Sequence, residues 1–360
     1  MGVLILTRII RVDPFNPSDE AIKEAAMVIR RGGLVAFPTE TVYGLGANAL
    51  DEDAVVKIFR AKKRPMDNPL IVHIASRKQL YMLARDLPEK AMMVAGKLWP
   101  GPVTIVVWKS DIVPDVVTAG LPKVAIRMPA HPVALKLIEY SGVPIAAPSA
   151  NLAGRPSPTR AEHVIEDLYG VVDVIIDGGE TLLGIESTVI DLTRDPPVLL
   201  RPGSMPIEKI EEILGTRIVI PGFARGLGEA DRAVSPGTRY KHYAPRTPLV
   251  LVEATSYDDL EEYSSRVLEI ASRYQSDGKR VCILASRETS DKYRGAGFMV
   301  LEVGSRGNLY EVAKNLFDAL RRLDKLGVDI AVAEGFEEKG LGIAVMNRLR
   351  KASGGNIIKV

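Results

Sequence analysis

The sequence predicts an α/β protein of two domains, and three observations carry that prediction. Its 360 residues exceed the roughly 250 at which one hydrophobic core stops growing. Short apolar runs of strand length alternate with segments of helical periodicity along most of the chain. From 222 to 246 that alternation stops, and Gly, Pro, Arg and Tyr dominate. The expected division is a first domain at 1–220, a linker at 221–246 and a second domain at 247–360. With 46% hydrophobic and 26% charged residues, the composition is that of a globular protein able to fill two cores.

The first clear helix is expected at 18–33. Ser18 is a candidate N-cap, Asp19 and Glu20 follow in the first turn, and Ile22, Ala25, Ala26 and Ile29 recur on one face. Arg30 and Arg31 complement the C-terminal end of the dipole, and Gly32-Gly33 stops the helix. A buried strand follows at 34–37, with similar strands at 70–74, 103–108, 124–128, 144–147, 172–176, 188–192 and 198–200. Helical patterns at 51–62, 88–98, 132–140 and 159–168 separate only some of them, which points to a mixed sheet. Beyond the linker come strand 248–253, helix 257–275, strands 281–285 and 298–302, helix 308–327, strand 329–333 and helix 342–352. That alternation reads as a smaller, doubly wound, Rossmann-like unit.

Arg8, Arg11 and Asp13 interrupt the apolar N-terminus, so a secretory leader is not expected. No segment approaches the ~20 apolar residues that span a bilayer, and the expected location is cytoplasmic with no membrane partner. Cys282 is the only cysteine, which rules out an intramolecular disulfide and a thiolate zinc site; its neighbours Val281, Ile283 and Leu284 read as a buried strand. The net charge of +2 is unevenly spread. Residues 1–220 hold 25 Lys/Arg against 26 Asp/Glu and residues 251–360 hold 17 against 17, whereas 221–250 hold five against two. The linker carries the excess, either to meet phosphates or as a solvated connector.

No G-x-x-x-x-G-K-[ST] occurs. Gly44-Leu45-Gly46-Ala47-Asn48-Ala49 matches G-x-G-x-x-A, but no acidic residue closes a second strand about twenty residues later, and Asp67 falls in a polar loop. These glycines read as a turn allowing close backbone approach. Four histidines and one cysteine offer neither a nucleophile elbow nor a metal pair. Four loop clusters stand out instead. Pro38-Thr39-Glu40-Thr41-Val42-Tyr43-Gly44-Leu45 follows the strand 34–37, with hydroxyls that hold a small substrate or cap a turn. Lys57, Arg60, Lys62, Lys63 and Arg64 crowd five cations into eight residues, ahead of Pro65, Asn68 and a strand bearing His73; such crowding suits an anion or a solvated face. Ala147-Pro148-Ser149-Ala150-Asn151 with Gly154-Arg155-Pro156-Ser157 offers short hydroxyl and amide groups to phosphate or ribose, or an Asx turn. Gly184-Ile185-Glu186-Ser187-Thr188 meets Arg201-Pro202-Gly203, and Arg127 adds another cation at a strand end. Together they suggest one anion-lined crevice. Because these clusters lie in loops, replacing Lys62, Arg64 or Ser149 by alanine is expected to leave the fold intact.

The residues resemble the L-threonylcarbamoyladenylate synthases, built on a YrdC-like α/β domain with a twisted mixed sheet, in their longer form with a C-terminal domain. The resemblance runs through Pro38 to Leu45, Lys62-x-Arg64-Pro65, Pro69 to His73, Arg127-Met128-Pro129, Ser149-x-Asn151, Ser187-Thr188 and Ser235-Pro-Gly-x-Arg-Tyr-x-His-Tyr-Ala-Pro245. Lys123 stands where a small hydroxyl residue is expected before Val124. The resemblance implies that L-threonine, bicarbonate and ATP give threonylcarbamoyl-AMP and pyrophosphate, for threonylcarbamoyladenosine in tRNA. It implies Thr39, His73, Arg127 and Ser187 around threonine, with Arg127 on the carboxylate. Lys62, Arg64, Ser149 and Asn151 are implied as catalytic, and Arg64, Asn68, Ser149, Asn151, Ser157, Arg201 and Tyr240 as ATP-binding. Mg2+ would ride on the ATP phosphates, with no protein ligands assigned. The linker 235–245 is expected to close as a lid through Arg239, Tyr240, His242 and Tyr243. Implied partners are the downstream tRNA threonylcarbamoyl-transferase machinery and, as an open option, tRNA itself. Two rival readings stay open. One is a YrdC-like enzyme using carbamoyl phosphate, whose relatives carry zinc-finger-like cysteines and an acylphosphatase region not seen here. The other is an RNA-binding regulator, against which the near-neutral first domain counts.

Overall fold

The structure is a computed structural model that describes residues 6–228 and 243–360. It divides into two compact units. One holds the chain through Ala153 and again Ser157–Ala224; the other holds Gly154–Pro156, Arg225–Gly228 and the C-terminal part through Val360.

In the first unit ten strands make one mixed sheet: β1 (Arg8–Arg11), β2 (Val35–Phe37), β3 (Gly44–Asn48), β4 (Ile71–His73), β5 (Val103–Trp108), β6 (Lys123–Arg127), β7 (Ile145–Ala146), β8 (Val174–Asp177), β9 (Thr188–Asp191) and β10 (Val198–Arg201). Their order is β1-β8-β2-β3-β7-β4-β6-β5-β9-β10. β4 runs parallel to β6 with His73 opposite Arg127, and β5 runs parallel to β9. The helix Asp19–Arg30 buries Ile22, Ala25, Ala26 and Ile29 against Val35, Phe37, Leu137 and Ile176, so its 3.6-residue stripe meets the sheet as the pattern requires. The helix Glu52–Lys62 is capped by Asp51, whose side chain accepts from the Ala54 amide at 3.1 Å, and it ends on Lys63 in the left-handed region at φ 52°.

The expected turn at 44–49 is instead strand β3, antiparallel to β2 and β7. The glycines do allow a close approach: a Cβ on Gly46 would stand 2.7 Å from Ile145 Cγ2 and 2.8 Å from Phe37 Cε1. What the pattern misjudged was conformation, because glycine permits a crowded strand as readily as a bend. Short elements such as β1 and the helices Arg77–Leu83 and Ile207–Leu214 also escaped the periodicity reading.

The second unit has five parallel strands: β11 (Leu249–Glu253), β12 (Val281–Ser286), β13 (Met299–Gly304), β14 (Ile330–Glu334) and β15 (Ile357–Lys359). Their order is β13-β12-β14-β11-β15. Val250, Val252, Ile283 and Val332 pack under Val267, Ile270 and Ala271 of the helix Leu260–Ser276. At the carboxyl ends of β12 and β14, where such sheets usually bind ligands, the protein's own side chains fill the position. Glu334 accepts from the Ser286 amide at 2.7 Å, Thr289 Oγ1 at 2.7 Å and Tyr293 Oη at 2.5 Å, and pairs with Arg306 at 3.2 Å. The Arg306 guanidinium lies 4.7 to 5.2 Å from the Phe336, Tyr257 and Tyr263 rings. Among the described residues no helix is long and apolar enough to cross a membrane.

Cys282 is fully buried in β12, and burial pushes its thiol up to about 11. Since the thiolate is the reactive form, iodoacetamide at pH 8 should label Cys282 only as fast as the protein unfolds. Rapid labelling of folded protein would show that this strand opens locally.

Candidate active site

The loop between β2 and β3 is fixed by its own hydroxyls. Thr39 Oγ1 donates to Val42 O at 2.7 Å and accepts from the Thr41 and Val42 amides. A hydroxyl has one proton, so Thr41 Oγ1 is the donor in its 2.8 Å bond with Thr39. That leaves Thr41 Oγ1 to accept from Arg127 Nη1 at 2.9 Å. The Thr39 hydroxyl thus caps the turn. Other loops hold this one in place: Tyr43 N donates to Pro158 O, Leu183 N donates to Glu40 O, and Tyr43 Oη donates to Gly179 O at 2.7 Å.

Arg127 ends β6 and is 3% exposed. Its Nε donates to Gly101 O at 3.2 Å, its Nη1 reaches Thr41, and its Nη2 lies 2.7 Å from Oε1 of Glu40, itself 4% exposed. The distance is that of an ion pair, yet Nη2 and both Glu40 oxygens lack an aligned hydrogen-bond partner. His73, beside Arg127 in the neighbouring strand, is held down to about 3, first by burial and then by the positive field of Arg127, with Arg201 adding to it. It stands there neutral, its Nδ1 buried without a partner.

Lys62 requires a correction. It was expected in an exposed loop, but the helix Glu52–Lys62 turns it inward and leaves it 2% exposed. Its Nζ donates to Ser149 O at 2.5 Å and to Asn151 O. The ammonium therefore clamps the backbone of the Ser149–Asn151 loop. Within that loop Ser149 Oγ donates to Asn151 Oδ1 at 2.5 Å, and Asn151 Nδ2 donates to Leu152 O at 2.8 Å. Arg64, half-buried, donates to Asn68 O at 3.3 Å and Pro69 O at 3.1 Å, and Asn68 is buried with its Oδ1 unpartnered. An isolated bridge between Gly44 and Ser149, with Leu45 N donating to Pro148 O, joins this loop to β3.

The fourth cluster closes on itself. Arg201 Nη2 donates to Ser187 O at 3.0 Å and Ser187 Oγ at 3.2 Å, and Ser187 Oγ also bonds Thr104 Oγ1 at 2.8 Å. Ser157 Oγ donates to Glu186 Oε1 at 2.6 Å. Gly203 makes this possible, since a Cβ there would stand 2.3 Å from Ser187 C and Thr188 N.

Thus Thr39, Arg127 and His73 come together, as do Lys62, Ser149 and Asn151, and Ser187 and Arg201. Tyr243 is buried, its ring 5.1 Å from that of Phe317 and 5.6 Å from the Arg348 guanidinium. Arg239, Tyr240 and His242 lie outside the described residues. Lys123 pairs with Asp191 at 2.8 Å and lies over the Trp108 ring at 5.0 Å, a strand-end role that accounts for its long side chain. Sequence reasoning named Glu40, Thr41 and Glu186 only as members of their clusters, without individual roles, and passed over Thr104. A signal for Glu40 existed, a carboxylate flanked by two threonines between apolar strands.

The chain is similar throughout to proteins of known activity. A family model described as telomere recombination, named for Sua5, YciO and YrdC, matches residues 27–203. A second, described as the threonylcarbamoyl-AMP synthase C-terminal domain, matches residues 205–354. The threonylcarbamoyl-AMP synthase of Pyrococcus abyssi is 54% identical over 94% of this chain and 96% of its own length. That of Bacillus subtilis is 47% identical over 96% and 97%. The crystal structure of P. abyssi Sua5 complexed with L-threonine superposes with a TM-score of 0.90 at 53% identity, covering 98% of this chain and 99% of that one.

Two outcomes follow from the geometry. Lys62→Ala removes a buried donor from two carbonyls and should cost roughly 1–3 kcal/mol in urea unfolding, against under about 1 kcal/mol for the half-buried Arg64→Ala. Equal losses would remove Lys62 from the role of clamp. His73 has a folded value near 3 against an ordinary 6.5, so the unfolded chain binds a proton that the folded chain refuses. Its contribution to stability is complete above about pH 6.5 and is lost as pH falls toward 3. NMR should show flat His73 ring shifts from pH 8 to pH 4; a midpoint inside that range would contradict the buried, neutral ring.

Proposed function

The chain belongs to the threonylcarbamoyl-AMP synthase family, and from that premise we propose how its crevice makes threonylcarbamoyl-AMP. The observation that carries the reading is Arg127, a buried guanidinium at a strand end with one edge still unaligned, beside a neutral histidine. Arg127 takes the threonine carboxylate, and its planar fork suits that group. Neutral His73 offers a hydrogen bond without a competing charge. Thr39 and Ser187 form the walls, since their hydroxyls already serve the turn and Arg201.

ATP occupies the side formed by Arg64, Asn68, Ser149, Asn151, Ser157 and Arg201. Bicarbonate supplies carbon dioxide, which bonds the threonine amine as a carbamate. A carbamate oxygen then attacks the α-phosphorus and pyrophosphate leaves. No side chain has to act as nucleophile, so the rate comes from alignment and from charge stabilisation at the phosphorus. Lys62 contributes by holding the Ser149–Asn151 backbone, and that loop presents a hydroxyl and an amide on short tethers. Magnesium suits this donor set as a companion of the triphosphate. It prefers hard oxygens, keeps several waters, and among the described residues no group of three or more His, Cys, Asp or Glu forms a cage. Its part is to neutralise phosphate charge. The product is then passed to the machinery that forms threonylcarbamoyladenosine in tRNA.

Pyrophosphate release tests the assignment, measured with each amino acid in turn and with bicarbonate removed. Release should require threonine and bicarbonate together, and Ser149→Ala should slow it on the order of 100-fold. Equal release with serine, alanine or no amino acid would overturn the substrate assignment.

A further inference from the structure

We propose that Glu40 is the specificity residue for the amine of the substrate, so that Glu40 and Arg127 together form a receptor for a zwitterionic amino-acid head group. The inference rests on the reading of Arg127 as partner of the threonine carboxylate, and it starts from an imbalance in the structure. Arg127 has committed Nε to Gly101 O and Nη1 to Thr41 Oγ1. Only Nη2 faces Glu40, at 2.7 Å, and that atom and both carboxylate oxygens are buried with no aligned partner. Buried polar atoms are nearly always satisfied, and a carboxylate left without an aligned donor is costly. The strain cannot be relieved by moving the loop, because the Thr39 turn and the bond from Leu183 N to Glu40 O fix its backbone.

An α-amino acid carries the missing groups one carbon apart. Its carboxylate accepts from Nη2, and its ammonium donates to the Glu40 oxygens, so the three atoms without aligned hydrogen bonds gain them together. The charges alternate, with the guanidinium against the substrate carboxylate and the ammonium against Glu40, and the buried site keeps zero net change in charge when the ligand enters. A carboxylic acid without the amine would instead set two carboxylates against one guanidinium, which the buried position penalises. The pair therefore explains selection for an amino acid at a position where a guanidinium alone would accept any small carboxylate.

Calorimetric binding to the full chain tests this with L-threonine and with 3-hydroxybutanoate, which keeps the carboxylate and hydroxyl but lacks the amine. Parent protein should bind threonine much the more tightly. Glu40→Gln keeps the shape and removes the charge; it should weaken threonine about 100-fold and leave 3-hydroxybutanoate unchanged or improved. Glu40→Asp should recover threonine to within about tenfold of the parent. Melting temperatures of both variants check the fold. Threonine affinity within threefold of the parent in Glu40→Gln, or equal weakening of both ligands, would overturn the proposal. Failure of the underlying reading looks different: Arg127→Lys would then leave 3-hydroxybutanoate and threonine binding unchanged, whatever Glu40 does.

Discussion

The guanidinium of Arg127 ties together two stretches of backbone that have no covalent reason to be near one another. It reaches Gly101 O at the approach to β5, Thr41 in the loop after β2, and Glu40 beside it. A single planar fork enforces all three directions at once, which a flexible ammonium would not. His73 depends on it in turn, because the field of Arg127 adds to burial in keeping the imidazole neutral. Take that cation away and Glu40 becomes a buried charge without a counterpart, the arrangement that costs most when one partner of a pair is lost. Loop position and carboxylate placement thus both lean on Arg127, and the histidine's protonation state owes to it the part that burial does not supply.

The alternation of strands and helices was legible because it is written in apolar periodicity, which depends only on which face is buried. The helix at 18–33 shows this: Ile22, Ala25, Ala26 and Ile29 are the residues that pack on the sheet. Elements with weaker contrast were not legible. The helix Arg287–Gly295 buries Thr289, Ser290 and Tyr293, polar side chains whose burial is supported by bonds to Glu334 and Glu302 that no local pattern announces. β3 was read as a turn because its glycines answer to packing by Phe37 on the partner strand and by Ile145, which is near in space and far in sequence.

The site shows the same boundary. The loops that carry groups suited to anions were readable, three of them after an apolar strand and one running off a helix. What each side chain does there was not readable, because it depends on partners far away in sequence. Lys62 looked like one of five crowded surface cations, yet its partners are the carbonyls of Ser149 and Asn151. Residue type told the chemistry on offer, and only the fold decided which atoms were already engaged.

The two sheets treat their strand ends in opposite ways. In the second unit, Glu334 at the end of β14 has donors on both oxygens, and its cation Arg306 is enclosed by three aromatic rings. That pair is satisfied and calls for no ligand. In the first unit, Glu40, Arg127, His73 and Asn68 each keep a buried atom without a partner. Protein interiors tolerate few such atoms; Glu40 sits in a loop held by backbone bonds from Tyr43 and Leu183, and Arg127 and His73 end neighbouring strands. Rigid loops cannot relax to satisfy them. The free energy withheld by these unsatisfied atoms is then available to a ligand that supplies their partners, which is what preorganisation of a site means.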